Sequence, residues 1–204
     1  MPLFNRVAIV GVGLIGGSIG LALRERKLAG EVVGVGRRQA TLDKALGRGA
    51  LDRGTTRFVE GVEEADLVIA ATPVDGIVDA IRSAAFFAPR AILTDAGSTK
   101  ATICQEIRAP ISADVPQLRP GPNRFVGSHP LAGNHRTGPE FARTDLLVGR
   151  TVVVTPEDDT APALVERVAE FWEALGANVV RLSPEEHDKA IAATSHLPHL
   201  VASA

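Results

Sequence analysis

The 204-residue chain sets 22 Lys and Arg against 24 Asp and Glu, a formal net charge of −2, and this near-neutral balance excludes an electrostatic footprint for nucleic acid or an anionic membrane surface. Its 45% hydrophobic and 23% charged residues are the proportions of a soluble globular protein, and no apolar run approaches the ~20 residues of a membrane span. One cysteine, Cys104, excludes an internal disulfide or a multi-cysteine metal site, and with no signal-like N-terminus a reducing, cytoplasmic setting is expected.

Strand and helix patterns alternate along the chain. Arg6–Val10 reads as a strand and enters the turn Gly11-Val12-Gly13-Leu14-Ile15-Gly16 directly; Gly17–Arg26 reads as a helix with Ile19 and Leu23 on one face. Glu31–Val35 (strand) and Gln39–Leu46 (helix) follow, and then Asp66–Ala71, apolar enough for a strand covered on both faces. Asp75–Phe86 and Lys100–Ile107 read as helices around a strand at Arg90–Asp95. Residues 109–122, with Pro110, Pro116, Pro120 and Pro122, form a loop excursion at the sheet edge. Arg124–Gly127 and Thr151–Thr155 are strands, Ala161–Leu175 a helix and Asn178–Leu182 a last strand. From Ser183 the chain is again helical, with Ser183 as N-cap, Pro184 at the first position and Glu185 and Glu186 in the first turn.

This alternation predicts an α/β fold with a doubly wound, mostly parallel sheet of Rossmann type over residues 1–182. Residues 183–204 lack a helix stop signal and are expected to begin a helical substrate and dimerisation domain that is otherwise missing, making the chain a truncation.

The glycine pattern lies after a strand and before a helix, the context in which it holds a dinucleotide pyrophosphate. Gly11 permits the tight turn, Gly13 lets the pyrophosphate approach, and Gly16 lets helix and strand pack closely, while Leu14 and Ile15 complete the loop. An NAD site carries a carboxylate at the end of the second strand for the ribose hydroxyl. This chain has Gly36, Arg37 and Arg38 there, so NADP is the preferred cofactor and NAD the alternative; the arginines otherwise read as solvated turn residues. Thr72 and Pro73, after the Asp66–Ala71 strand, border the ribose or nicotinamide or simply start a helix. No metal is expected, because the five histidines lack zinc-ligand spacing.

Two further motifs end at the same sheet edge: Asp95-Ala96-Gly97-Ser98-Thr99-Lys100, and Gly127-Ser128-His129-Pro130-Leu131-Ala132-Gly133. Together with residues 11–20, 71–74 and Ser195-His196-Leu197-Pro198-His199, in that order, they make the chain resemble the prephenate/arogenate dehydrogenase family. The resemblance implies an NAD(P)-dependent oxidative decarboxylation of prephenate or arogenate, in tyrosine biosynthesis, by a homodimer. It implies His129 as acceptor of the substrate hydroxyl proton, with Ser98 hydrogen-bonded beside it, and substrate contact by His199. Ser98 or Thr99 serves equally well as a helix N-cap. Asp188, Ala192, Ser195 and His199 share one helical face, which reads either as a substrate-binding stripe or as a solvated one; Asp188 is a candidate partner for the ammonium of arogenate. Where some family members carry a carboxylate just after residue 133, this chain has Asn134 and His135.

Overall fold

The computed structural model describes residues 1–109, 124–133 and 136–193. The first half runs β1 (Phe4–Val10), α1 (Leu14–Glu25), β2 (Ala29–Val35), α2 (Gln39–Gly47), β3 (Arg53–Thr55), α3 (Phe58–Val62) and β4 (Leu67–Ala70). The second runs α4 (Ile77–Phe87), β5 (Ile92–Asp95), α5 (Ala101–Arg108), β6 (Phe125–Pro130), β7 (Thr151–Thr155), α6 (Pro162–Ala174), β8 (Asn178–Arg181) and α7 (Pro184–Ile191). The strands join in one eight-stranded sheet of order β3-β2-β1-β4-β5-β6-β7-β8.

Alternation along β1 shows why helices cover both faces. Val7 and Ile9 enter one core cluster with Ile19 and Leu23 of α1 and Phe171 and Trp172 of α6. Ala8 and Val10 enter the other, with Ile77 and Ile81 of α4 and Ile103 and Ile107 of α5. A strand segment buried on both sides must be apolar throughout, which is the pattern of β4 and of Val7–Val10 in β1.

The sheet is parallel except at β6–β7, where Gly127 lies opposite Thr155 and Pro130 opposite Val152. The strand expected to end at Gly127 therefore continues to Pro130, and His129 belongs to the sheet rather than to the loop beyond it. Two short elements escape the sequence pattern, the three-residue β3 and the five-residue α3.

The start of α7 follows its sequence. Ser183 Oγ accepts the Glu186 N–H at 3.2 Å, and the Glu186 carboxylate accepts the Ser183 N–H at 2.8 Å, a reciprocal capping box. Among the described residues no helix is long and apolar enough to cross a membrane. Residues 110–122 of the predicted proline-rich excursion and all of the chain after residue 193 lie outside the described residues.

Candidate active site

In the strand order the direction of winding reverses between β1 and β4, and in open α/β sheets ligands bind at that point, outside the strand C-termini. Gly11 has φ +93°, and a Cβ there would lie 2.7 Å from the backbone of Ala71 and Thr72, so the loops after β1 and β4 touch only because the residue is glycine. A Cβ on Gly16 would stand 2.1 Å from the Gly11 carbonyl oxygen. At Gly13, the N-cap of α1, a Cβ would meet nothing within 4 Å. Two of the glycines thus shape the loop, while the third leaves open space in front of a helix N-terminus that no side chain caps.

That space is a cleft of about 470 Å³ lined by Gly13, Leu14, Ile15, Thr72, Pro73 and Gly133, with Arg136 at its edge. The Thr72 hydroxyl is enclosed and has no hydrogen-bond partner among the described residues. A bare helix N-terminus, an open glycine face and an unmet hydroxyl are what a dinucleotide requires, and these residues fit one. Arg37 and Arg38 stand exposed just beyond β2, with Arg38 as the N-cap residue of α2.

Beside the cleft, a buried polar network locks β5 to β6. Asp95, at the end of β5, accepts the N–H groups of Ser128 and Gly97, each at 2.9 Å, and pairs with the ammonium of Lys100. Trp172 Nε1 donates to Ser128 Oγ at 3.0 Å; Ser128 Oγ donates to Thr94 Oγ1 at 2.7 Å, and Thr94 Oγ1 donates to the Val126 carbonyl at 2.7 Å. This chain of donors satisfies every hydroxyl in it and sets the strand from which His129 projects.

His129 Nδ1 lies 2.9 Å from Nε2 of His187, a fully buried residue of α7. His187 Nδ1 lies in turn 2.7 Å from Oδ1 of Asp188. The same carboxylate accepts the N–H groups of Lys100 at 2.8 Å and Ala101 at 3.0 Å, closing the N-terminus of α5. Burial raises the Asp188 pKa, but the bonds from Lys100, His187 and Ala101 outweigh it and hold the carboxyl below its ordinary range.

Three expectations change accordingly. Asp188 is not turned towards a substrate ammonium: its oxygens are taken up by the α5 N-terminus and His187. Neither Ser98 nor Thr99 caps α5, since the N-cap residue is Lys100 and the capping carboxylate comes from across the fold. Ser98 is exposed and makes no hydrogen bond to His129, whose Nδ1 goes to His187. Ser195 and His199 lie outside the described residues, as do His196, Asn134 and His135. His187 escapes a reading of the sequence, as does the pairing of Asp95 with Lys100 inside their motif; the only cue to His187 is its place one residue before Asp188 on a helix announced by its capping box.

The comparisons with known proteins follow the same lines. Prephenate dehydrogenase of Bacillus subtilis is 34% identical over 98% of this chain, and cyclohexadienyl dehydrogenase of Zymomonas mobilis 32% over 99%. The chain spans 52% and 66% of their respective lengths. The crystal structure of prephenate dehydrogenase from Aquifex aeolicus, in complex with hydroxyphenyl propionate and NAD+, superposes with a TM-score of 0.85 at 32% identity, over 97% of this chain and 66% of that one. Synechocystis arogenate dehydrogenase gives a TM-score of 0.80 at 31% identity, over 95% and 65%. Pyrroline carboxylate reductases share the fold alone, as with the Plasmodium falciparum enzyme at 11% identity and a TM-score of 0.66. A family model described as "Prephenate dehydrogenase, nucleotide-binding domain" matches residues 19–181, and the chain belongs to the prephenate dehydrogenase family.

Proposed function

We propose that the chain supplies the nucleotide-binding and proton-accepting half of an enzyme that oxidatively decarboxylates a cyclohexadienol, prephenate or arogenate, with NADP as the preferred cofactor. The observation that carries this reading is the position of His129. It stands three residues before Ala132, a residue of the nucleotide cleft, and a histidine and a carboxylate back its ring.

A bound nicotinamide supplies the hydride acceptor. The ring carbon bearing the hydroxyl loses hydride while the hydroxyl proton passes to His129, so that a carbonyl forms. The bond to the ring carboxylate then breaks; its electrons run through the dienone to the carbonyl oxygen, carbon dioxide leaves and the ring becomes aromatic. The proton held by His129 is available to the resulting phenolate. The exposure of Ser98 at the same sheet edge supports a contact with the substrate rather than with the histidine. Arg37 and Arg38, with no carboxylate at the end of β2, support a 2′-phosphate. We assign residues 1–182 to the nucleotide domain and the helix from Ser183 to the substrate side, which Ser195 and His199 would serve.

Calorimetry with NADP+ and NAD+, followed by the absorbance of the reduced nicotinamide with prephenate and with arogenate, tests the reading. Expected are tighter binding of NADP+ and turnover of one or both acids. His129→Asn should abolish turnover and spare cofactor affinity; equal losses in both would make His129 structural and sink the proposal.

A further inference from the structure

We propose that His187 and Asp188 act as positioning residues that fix the tautomer of His129, placing its hydrogen on Nδ1 and its lone pair on Nε2. The inference rests on the reading of His129 as the proton acceptor and adds how the fold prepares it for that task.

The argument is one of donor and acceptor counting along a chain of three side chains. A carboxylate only accepts, and that of Asp188 already receives two backbone N–H groups of α5. The 2.7 Å contact between Asp188 Oδ1 and His187 Nδ1 therefore requires the hydrogen on His187 Nδ1. In the neutral ring, Nε2 of His187 is then bare and can only accept. Its 2.9 Å contact with His129 Nδ1 requires the hydrogen on the His129 side. His129 Nε2, the remaining ring nitrogen, is left as the basic one.

The ring planes are inclined at 70° with centroids 5.1 Å apart, so the contact runs from the nitrogen edge of one ring to that of the other rather than through stacking. When Nε2 of His129 accepts the hydroxyl proton, the imidazolium keeps its Nδ1–H bond to His187, and the ionised Asp188 lies one ring further on. The arrangement also has a mechanical side. The side chain of His187 has no solvent exposure, and Asp188 is bonded to the first turn of α5, so the array is held by α7 and α5 together.

The ring nitrogens are read directly in a two-bond proton–nitrogen correlation spectrum of isotope-labelled protein. It is recorded above the ordinary imidazole pKa of about 6.5, and each histidine is assigned by its own His→Gln variant. Expected are His129 and His187 both carrying hydrogen on Nδ1 with Nε2 bare. In His187→Leu, His129 should shift towards the Nε2–H form and kcat should fall at least about tenfold, less than the 10²–10⁴-fold that the positioned base itself contributes. His187→Gln restores an acceptor in the buried site and should recover both the tautomer and most of the turnover. A wild-type His129 with its hydrogen on Nε2, or a doubly protonated His187, overturns the proposal even if the leucine variant fails to fold. Leucine and glutamine variants equally impaired with the His129 tautomer unchanged would overturn it too. If His129 carries hydrogen on Nδ1 and neither acid is turned over, the tautomer assignment stands and the substrate reading falls; turnover with the opposite tautomer divides them the other way.

Discussion

Asp95 and Lys100, at the two ends of the turn from β5 to α5, form an ion pair in which neither side chain reaches solvent. Asp95 also receives two backbone N–H groups, whereas the ammonium of Lys100 leans on the carboxylate. Breaking such a pair leaves a buried charge uncompensated and costs about 3–5 kcal/mol. Lys100→Met should lose stability of that order in urea unfolding, and adding Asp95→Asn should cost less than the sum of the single changes. Full additivity would show that the two side chains are not coupled.

Ser128 sits between Trp172 and Thr94, accepting from one and donating to the other. Ser128→Ala leaves the buried indole N–H without a partner, at a cost of about 1–3 kcal/mol. Trp172 is the single tryptophan and fully buried, so its own fluorescence reports both the loss of stability and the changed surroundings of the ring.

The glycines of the first turn should separate into two phenotypes. Gly16→Ala forces a Cβ against the Gly11 carbonyl and should lower the melting temperature. Gly13→Ala meets no protein atom, so the fold should survive while dinucleotide affinity falls by about tenfold or more, ~1.4 kcal/mol, because the methyl group occupies the approach to the helix N-terminus. Thermal unfolding and calorimetry on the same samples distinguish them.

Acid should loosen the joint between α7 and α5. The Asp188 carboxyl is held below its ordinary range in the folded chain, so the unfolded state takes up its proton first as pH falls. The stabilisation is complete above the unfolded value of ~3.9 and is lost as pH drops from there through the folded pKa. Asp188→Asn should therefore be less stable than wild type at neutral pH, with the gap narrowing in acid. A constant gap across that range would contradict the cap.

Cys104 is 2% exposed, and burial pushes its thiol up to about 11 against the opposing pull of the Lys100 ammonium. Only the thiolate reacts, so alkylation of the native protein at neutral pH should run on the order of 10²-fold slower than in denaturant. Fast native labelling would mean that α5 opens readily.

Much of the fold is legible from the chain because parallel strands covered on both faces leave apolar runs such as Leu67–Ala70, and because the Ser183–Glu186 box marks a helix start. β3 and α3 are too short to show a period, and β6 reads as ending early because Gly127 and Pro130 lie on either side of His129. The nucleotide loop is local and could be read as such. The partner of His129 could not, since His187 lies 58 residues away and meets it only once α7 is docked. The expected role of Asp188 misled for a related reason: helical spacing says which residues share a face but not what that face meets.

The reversal of direction at β7 has one more consequence. The chain leaves the sheet after Pro130 and re-enters at Thr151 on the same edge, where Leu131 N–H donates to the Thr151 carbonyl at 2.8 Å. What lies between is anchored on α1, with Arg143 N–H on Ser18 Oγ at 3.0 Å. Such an insert can be lengthened, shortened or exchanged over evolutionary time without rethreading any strand. Each change would alter the wall of the cleft, to which Ala132, Gly133, Thr137 and Gly138 contribute, while leaving the strands beneath it in place.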